Sequence, residues 1–149
     1  VARVKTYFED CSVGDTHVTP ARTITETDVV MFAALSGDYN PLHTDAEFAK
    51  TTLFEQRIAH GLLGLAITGG LKARLGLFDG TVVAFLGLTW EFKKPIFFGD
   101  TIYARFTIAE KRETKHRDRG IIVQDVDLLN QRGEVVQTGR HTVMVKRKI

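Results

Sequence analysis

One segment limits the folds open to this chain more than any other. Residues 60–75 carry no charge before Lys72 and set Gly61, Gly64, Gly69 and Gly70 among leucine, alanine and isoleucine. The segment predicts a helix that is apolar nearly all round, and such a helix is buried on most sides. It is too short to span a bilayer. Each interior glycine costs about 1 kcal/mol relative to alanine. That cost is tolerated where another helix, a sheet or a ligand must approach the backbone closely.

The sequence after it reads as strand. Residues 82–94 are rich in Val, Phe, Leu, Thr and Trp, and 95–100 break the run with Gly99-Asp100 as a turn. Residues 101–110 alternate, with Ile102, Ala104, Phe106 and Ile108 on one face and Tyr103, Arg105 and Thr107 on the other. The charged run 111–119 reads as a solvated hairpin tip. Two more strands follow, at 120–129 and 135–146, joined by a turn at 130–133, and Gly139 is a candidate bulge. Before the apolar segment, 17–23 predicts one short strand. Thr25 or Thr27 can cap a helix that Ser36-Gly37 ends. Pro41 forbids an immediate restart with a full hydrogen-bond set and biases Asn40 to an extended conformation. Thr44 or Asp45 can then cap a short helix to about Lys50.

Helices followed by strands predict an α+β fold, in which one long central helix is wrapped by a curved antiparallel sheet. At 149 residues the expectation is one domain over 1–149. The net charge of +2 is spread out, so no nucleic-acid partner is implied. Cys11 is the sole cysteine, which excludes an intrachain disulfide and a cysteine zinc cluster. Residues 1–7 lack an apolar core of signal-peptide length. Together these predict a cytoplasmic protein with no membrane partner.

The chemistry concentrates in residues 35–43, Leu-Ser-Gly-Asp-Tyr-Asn-Pro-Leu-His. Asp38 and His43 stand either side of Asn40-Pro41, and a bent loop lets them converge. An imidazole and a carboxylate together suit general acid–base work on a water molecule. The charge developing on a substrate needs a donor, and the Gly61 amide at the first turn of the long helix can supply one. Taken alone, Gly-Asp-x-Asn-Pro also reads as an Asx turn, Asn40 as a loop brace, and His43 as a structural histidine. His60 before Gly61 can serve catalysis too, but its place beside a buried helix favours a structural histidine. No spacing among the histidines matches a metal motif, and neither a phosphate loop nor a Gly-x-Ser-x-Gly nucleophile is present.

The stretch from Phe32 through Gly-Asp38-Tyr-Asn40-Pro41-Leu-His43, with Ile58-Ala-His60-Gly61, resembles the hydratase motif of MaoC-like, (R)-specific enoyl-CoA hydratases. Phe92-Lys-Lys-Pro95-Ile and Phe98-Gly99-Asp100 extend the likeness over most of the chain. The resemblance implies a hot-dog fold with a helical overhang over about residues 24–52 carrying the site. It implies reversible syn addition of water to a trans-2-enoyl thioester, with Asp38 and His43 as the catalytic pair and Gly61 donating to the thioester oxygen. It further implies that Asn40 braces the loop and touches the site. No cofactor or metal is implied, and the implied partners are an acyl-CoA or acyl-carrier-protein thioester and a second copy in a homodimer. Dehydration of 3-hydroxyacyl groups on acyl carrier protein, hydration of a branched or dicarboxylic enoyl-CoA, and non-catalytic thioester binding are the alternatives. Residues 60–78 hold no carboxylate, which argues against hydrolysis by an acid on the central helix.

Overall fold

The computed structural model describes residues 5–149. Residues 1–4, part of the stretch read as lacking a signal core, lie outside the described residues. The elements in chain order are β1 (Thr16–Val18), β2 (Arg22–Thr23), α1 (Glu26–Ser36), α2 (Pro41–Thr44), α3 (Ala46–Lys50), α4 (Gly61–Leu75), β3 (Val82–Phe92), β4 (Thr101–Glu113), β5 (Arg119–Leu129) and β6 (Val135–Lys146). The strands form one open antiparallel sheet in the order β1-β4-β5-β6-β3, with β2 also paired to β4. No described helix is long and apolar enough to cross a membrane.

The core lies between α4 and the inner face of this sheet. Leu63, Ile67 and Leu71 recur at helical spacing and meet Ile102, Ala104, Phe106, Val126, Leu128 and Val136. Burying each such aliphatic side chain contributes about 1.5–3 kcal/mol. A second cluster, with Phe8, Cys11, Phe78, Ile108, Ile122, Val143 and Val145, closes the far end. The alternation expected in 101–110 holds, since Ile102, Ala104, Phe106 and Ile108 are all buried.

Five expectations are corrected. The strand expected at 17–23 is two, β1 on Thr107–Arg105 and β2 on Ile102–Thr101; Pro20 between them has no N–H for a continuous ladder. Helix formation resumes at Pro41 itself, because a proline at the first helical position has a suitable φ and loses no needed donor. The charged connection is shorter than 111–119, since β4 continues to Glu113. Gly139 is not a bulge: it pairs in register with Trp90 and Val126, and a Cβ there would lie 1.9 Å from the Thr89 carbonyl oxygen. Finally, α4 buries one face only. Leu62, Ala66, Gly69 and Gly70 remain exposed because the sheet covers a single side.

Candidate active site

Local sequence shapes the loop before α4. Thr25 caps α1, with its hydroxyl accepting from the Asp28 N–H while the Asp28 carboxylate accepts from the Thr25 N–H. The helix ends at Gly37, whose φ of 78° is left-handed, a conformation open to glycine at little cost. Asp38 Oδ1 then accepts from the Asn40 N–H at 3.1 Å, and Asn40 Oδ1 accepts from the Leu42 N–H at 3.0 Å. Both are Asx-type bonds that bend the chain, so the Asx reading and the site reading of Asp38 describe one geometry. Asn40 caps α2, which carries His43.

The loop brings Asp38 and His43 together, and His60 with them. One donor atom from each of the three lies within 4.8 Å of the others. His43 Nδ1 lies 2.7 Å from the Ile58 carbonyl oxygen. A carbonyl only accepts, so Nδ1 carries the proton, which leaves Nε2 of the neutral ring as a lone-pair acceptor. By the same logic His60 Nε2–H donates to the Asp38 carbonyl oxygen at 2.9 Å. The two imidazoles stack with centroids 3.9 Å apart and planes inclined by 27°, and the Phe32 ring lies tilted against His60 at 4.9 Å. His60 is buried, His43 half-buried and Asp38 exposed. Two imidazoles and a carboxylate form a donor set that a divalent transition metal could use; the same atoms can equally hold and polarise one water.

His60 is also the residue from which α4 starts. The N–H groups of Leu63 and Gly64 turn back to the His60 carbonyl oxygen. The Gly61 and Leu62 amides have no acceptor among the described residues, as is normal for a first turn. They carry the positive end of the helix dipole. Next to them is a cavity of about 450 Å³ lined by Gly61, Leu62, Phe92 and Ile96, with Lys93 and Lys94 at its edge. Those lysines form ion pairs with Glu91 and Glu134.

Two of the α4 glycines are explained by close approach. A Cβ on Gly61 would meet the Phe92 ring at 2.8 Å, and one on Gly64 would meet the Gln137 amide at 2.5 Å. Gln137 uses that space to donate from Nε2 to the Gly61 carbonyl oxygen at 3.0 Å, while its Oε1 accepts from Trp90 Nε1 at 2.9 Å. It thus braces the first turn of α4 from the sheet. Residue types alone give no sign of Gln137 and favour a structural His60, whose ring the fold stacks on His43. The available signal was strand alternation, which places Gln137 on the same inward face as Val143 and Val145 in β6.

Residues 10–128 match the family described as MaoC like domain. The chain is 36% identical over 144 residues to an (R)-specific enoyl-CoA hydratase of Rhodospirillum rubrum, covering 93% of this chain and 91% of the relative. It is 35% identical over 143 residues to a 3-hydroxybutyryl-CoA dehydratase of Methylorubrum extorquens, covering 95% and 85%. Among solved structures, a protein of Archaeoglobus fulgius titled a monoamine oxidase regulatory protein superposes with a TM-score of 0.91 at 38% identity over 99% of both chains. A Mycobacterium tuberculosis protein described as a double hot-dog fold superposes with a TM-score of 0.81 at 20% identity, over 97% of this chain and 45% of its own; that likeness concerns the fold alone. The fold is a hot dog, with α4 as its central helix.

Proposed function

Because the chain belongs to the MaoC-like dehydratase family, we propose that it is an (R)-specific enoyl-CoA hydratase, a hydro-lyase that adds water reversibly across the double bond of a trans-2-enoyl-CoA. The observation that carries this reading is the tautomer of His43. With Nδ1–H held by the Ile58 carbonyl oxygen, Nε2 is the atom left to take a proton, and the Asp38 carboxylate lies within 4.8 Å of a ring nitrogen of His43.

In this mechanism a water sits between His43 Nε2 and the Asp38 carboxylate. His43 takes one proton as the water oxygen bonds to C3. The C2=C3 pair shifts into an enolate whose oxygen lies at the Gly61 amide. The proton then passes from His43 to Asp38 and on to C2 from the same face, which restores both groups and completes a syn addition. Acid–base catalysis of this kind contributes roughly two to four powers of ten, and an oxyanion donor about 3 kcal/mol. Asn40 braces the loop that carries the pair. The relatives named for CoA thioesters favour that carrier over acyl carrier protein.

The test is hydration of crotonyl-CoA, followed by loss of enoyl absorbance and by the configuration of the product. Turnover to the (R)-3-hydroxyacyl product is expected. Failure to hydrate enoyl-CoA of any chain length, with thioester binding retained, would replace this reading with a non-catalytic one. Faster turnover on acyl-carrier-protein thioesters would change the carrier.

The same proposal includes a homodimer and a cytoplasmic location. β3 is an edge of the sheet and exposes Val82, Val83, Phe85, Leu86, Leu88 and Phe92. A long apolar edge strand is a template for pairing with another chain, and the exposed face of α4, with Leu62, Ala66, Gly69 and Gly70, adds to the uncovered apolar surface. A twofold pairing would cover both surfaces in both copies. Sedimentation at micromolar concentration is expected to give a dimer and, for Leu86→Lys, a monomer. A wild-type monomer would remove the dimer.

A further inference from the structure

A second cavity, of about 370 Å³, lies between α4 and the β3–β6 side of the sheet. Leu65, Phe85, Leu88 and Val143 make much of its wall apolar, and Phe85 and Leu88 belong to the β3 face that the proposed dimer would cover, so the second copy would help to close the cavity. Lys72 and His141 also line it, and Gln124 stands behind Lys72, accepting from its ammonium through Oε1. Gln124 is fully buried and His141 is 3% exposed. Among the described residues, Gln124 Nε2 and both ring nitrogens of His141 have no hydrogen-bond partner. The rings of Phe85 and Trp90 flank His141, each at 5.3 Å. Buried polar groups are almost always paired, so three unpaired atoms grouped beside one cavity are unusual.

The charge at the cavity is equally specific. The Lys72 ammonium lies 5.4 Å and 5.6 Å from the ring centroids of Phe106 and Phe78. No carboxylate lies within ion-pair distance of it among the described residues, and Asp79, which also lines the cavity, is itself engaged. Burial holds the Lys72 pKa down at about 8, which still leaves the amine largely protonated at neutral pH. A part-buried ammonium with no carboxylate within ion-pair distance favours an anionic guest.

The cavity lies further along α4 than the candidate active site. Gly61, Gln137, Trp90 and His141 form an unbroken series of contacts from one to the other. At about 1.5 Å per residue, Gly69 and Lys72 lie about 12 Å and about 16 Å along α4 from Gly61. An acyl chain long enough to span that distance, with its thioester oxygen at the Gly61 amide and its length along α4, would bring its far end to Lys72.

We propose that Lys72, supported by Gln124 and His141, receives the far end of the acyl chain and selects enoyl thioesters that end in a carboxylate over those that end in a methyl group. This rests on the hydratase reading above. The test compares kcat/KM for pairs of trans-2-enoyl-CoA of matched length, one ω-carboxylated and one methyl-terminated, in wild type, Lys72→Met and Lys72→Arg. Wild type is expected to prefer the carboxylated member by about tenfold or more at the length that reaches Lys72, since a hydrogen bond to a charged group is worth at least that factor. Lys72→Met should abolish or reverse the preference, and Lys72→Arg should keep part of it. In parallel, calorimetry with octanoate and octanol reads carboxylate recognition without turnover, and octanoate should bind more tightly only while residue 72 is cationic. If wild type hydrates crotonyl-CoA but shows no carboxylate preference at any length, or if Lys72→Met leaves the ratio unchanged, the proposal is overturned and the hydratase reading stands. If nothing is hydrated, the hydratase reading fails, and the octanoate comparison decides the cavity by itself.

Discussion

His43→Ala and Asp38→Asn are each expected to lower kcat for enoyl-CoA hydration by roughly two to four powers of ten, the usual contribution of a positioned acid or base. KM should change little, because neither side chain lines the cavity beside Gly61. The two variants differ in what else they disturb. His43→Ala also removes the bond to the Ile58 carbonyl oxygen and should cost about 1 kcal/mol of stability. Asp38→Asn keeps an oxygen able to accept from the Asn40 N–H, so its loop should hold and its loss should be almost purely in rate. Because the proposed proton path uses both groups in series, the double variant should be little slower than the worse single one. Steady-state rates beside thermal unfolding of each variant separate these effects. Full activity in both singles would remove the pair from the mechanism.

The largest expected effect on stability is at Gly139. A Cβ at this position would lie 1.9 Å from the Thr89 carbonyl oxygen and 2.8 Å from both the Thr89 carbonyl carbon and the Trp90 ring. The obstacle is mostly backbone in the paired strand, so no side-chain rotation relieves it. Gly139→Ala must push β3 away from β6, breaking a ladder that runs from Val82–Val145 to Phe92–Gln137. A loss of about 3 kcal/mol is expected, at the upper end for overpacking by one methyl, measured as a fall in the urea midpoint. A loss below about 0.5 kcal/mol would show that the strands can separate locally at little cost. The damage should reach the site as well, because Trp90 is the hydrogen-bond partner of Gln137.

Much of this was legible in the sequence because it rests on periodicity and on local chemistry. The inward residues of β4 declared themselves by alternation, and Thr25 and Gly37 marked the ends of α1 through the chemistry of caps. The convergence of Asp38 and His43 could be anticipated from the Asn-Pro bend. What escaped was set by tertiary approach. Gly139 looks like any strand glycine until β3 is laid against it. The segment that became α4 looks buried all round because its composition is uniform, yet which side the sheet covers is decided by the strands that follow. His60 read as structural because a histidine beside an apolar helix usually is; only the fold brings its ring under His43. Lys72, Gln124 and His141 lie 17 to 69 positions apart in sequence, counted from their numbers, and nothing local marks them as neighbours.

The two histidine bonds described above are reciprocal. The ring of residue 43 holds the backbone of residue 58, and the ring of residue 60 holds the backbone of residue 38. The loop and the start of the long helix are therefore buttoned to each other at two points, with the stacked rings between them. Neither can drift without dragging the other. In the proposed reaction the base and the oxyanion donor thus meet the thioester as one pre-set frame. No free energy has to go into aligning them as charge develops, and in that economy electrostatic catalysis has its main source.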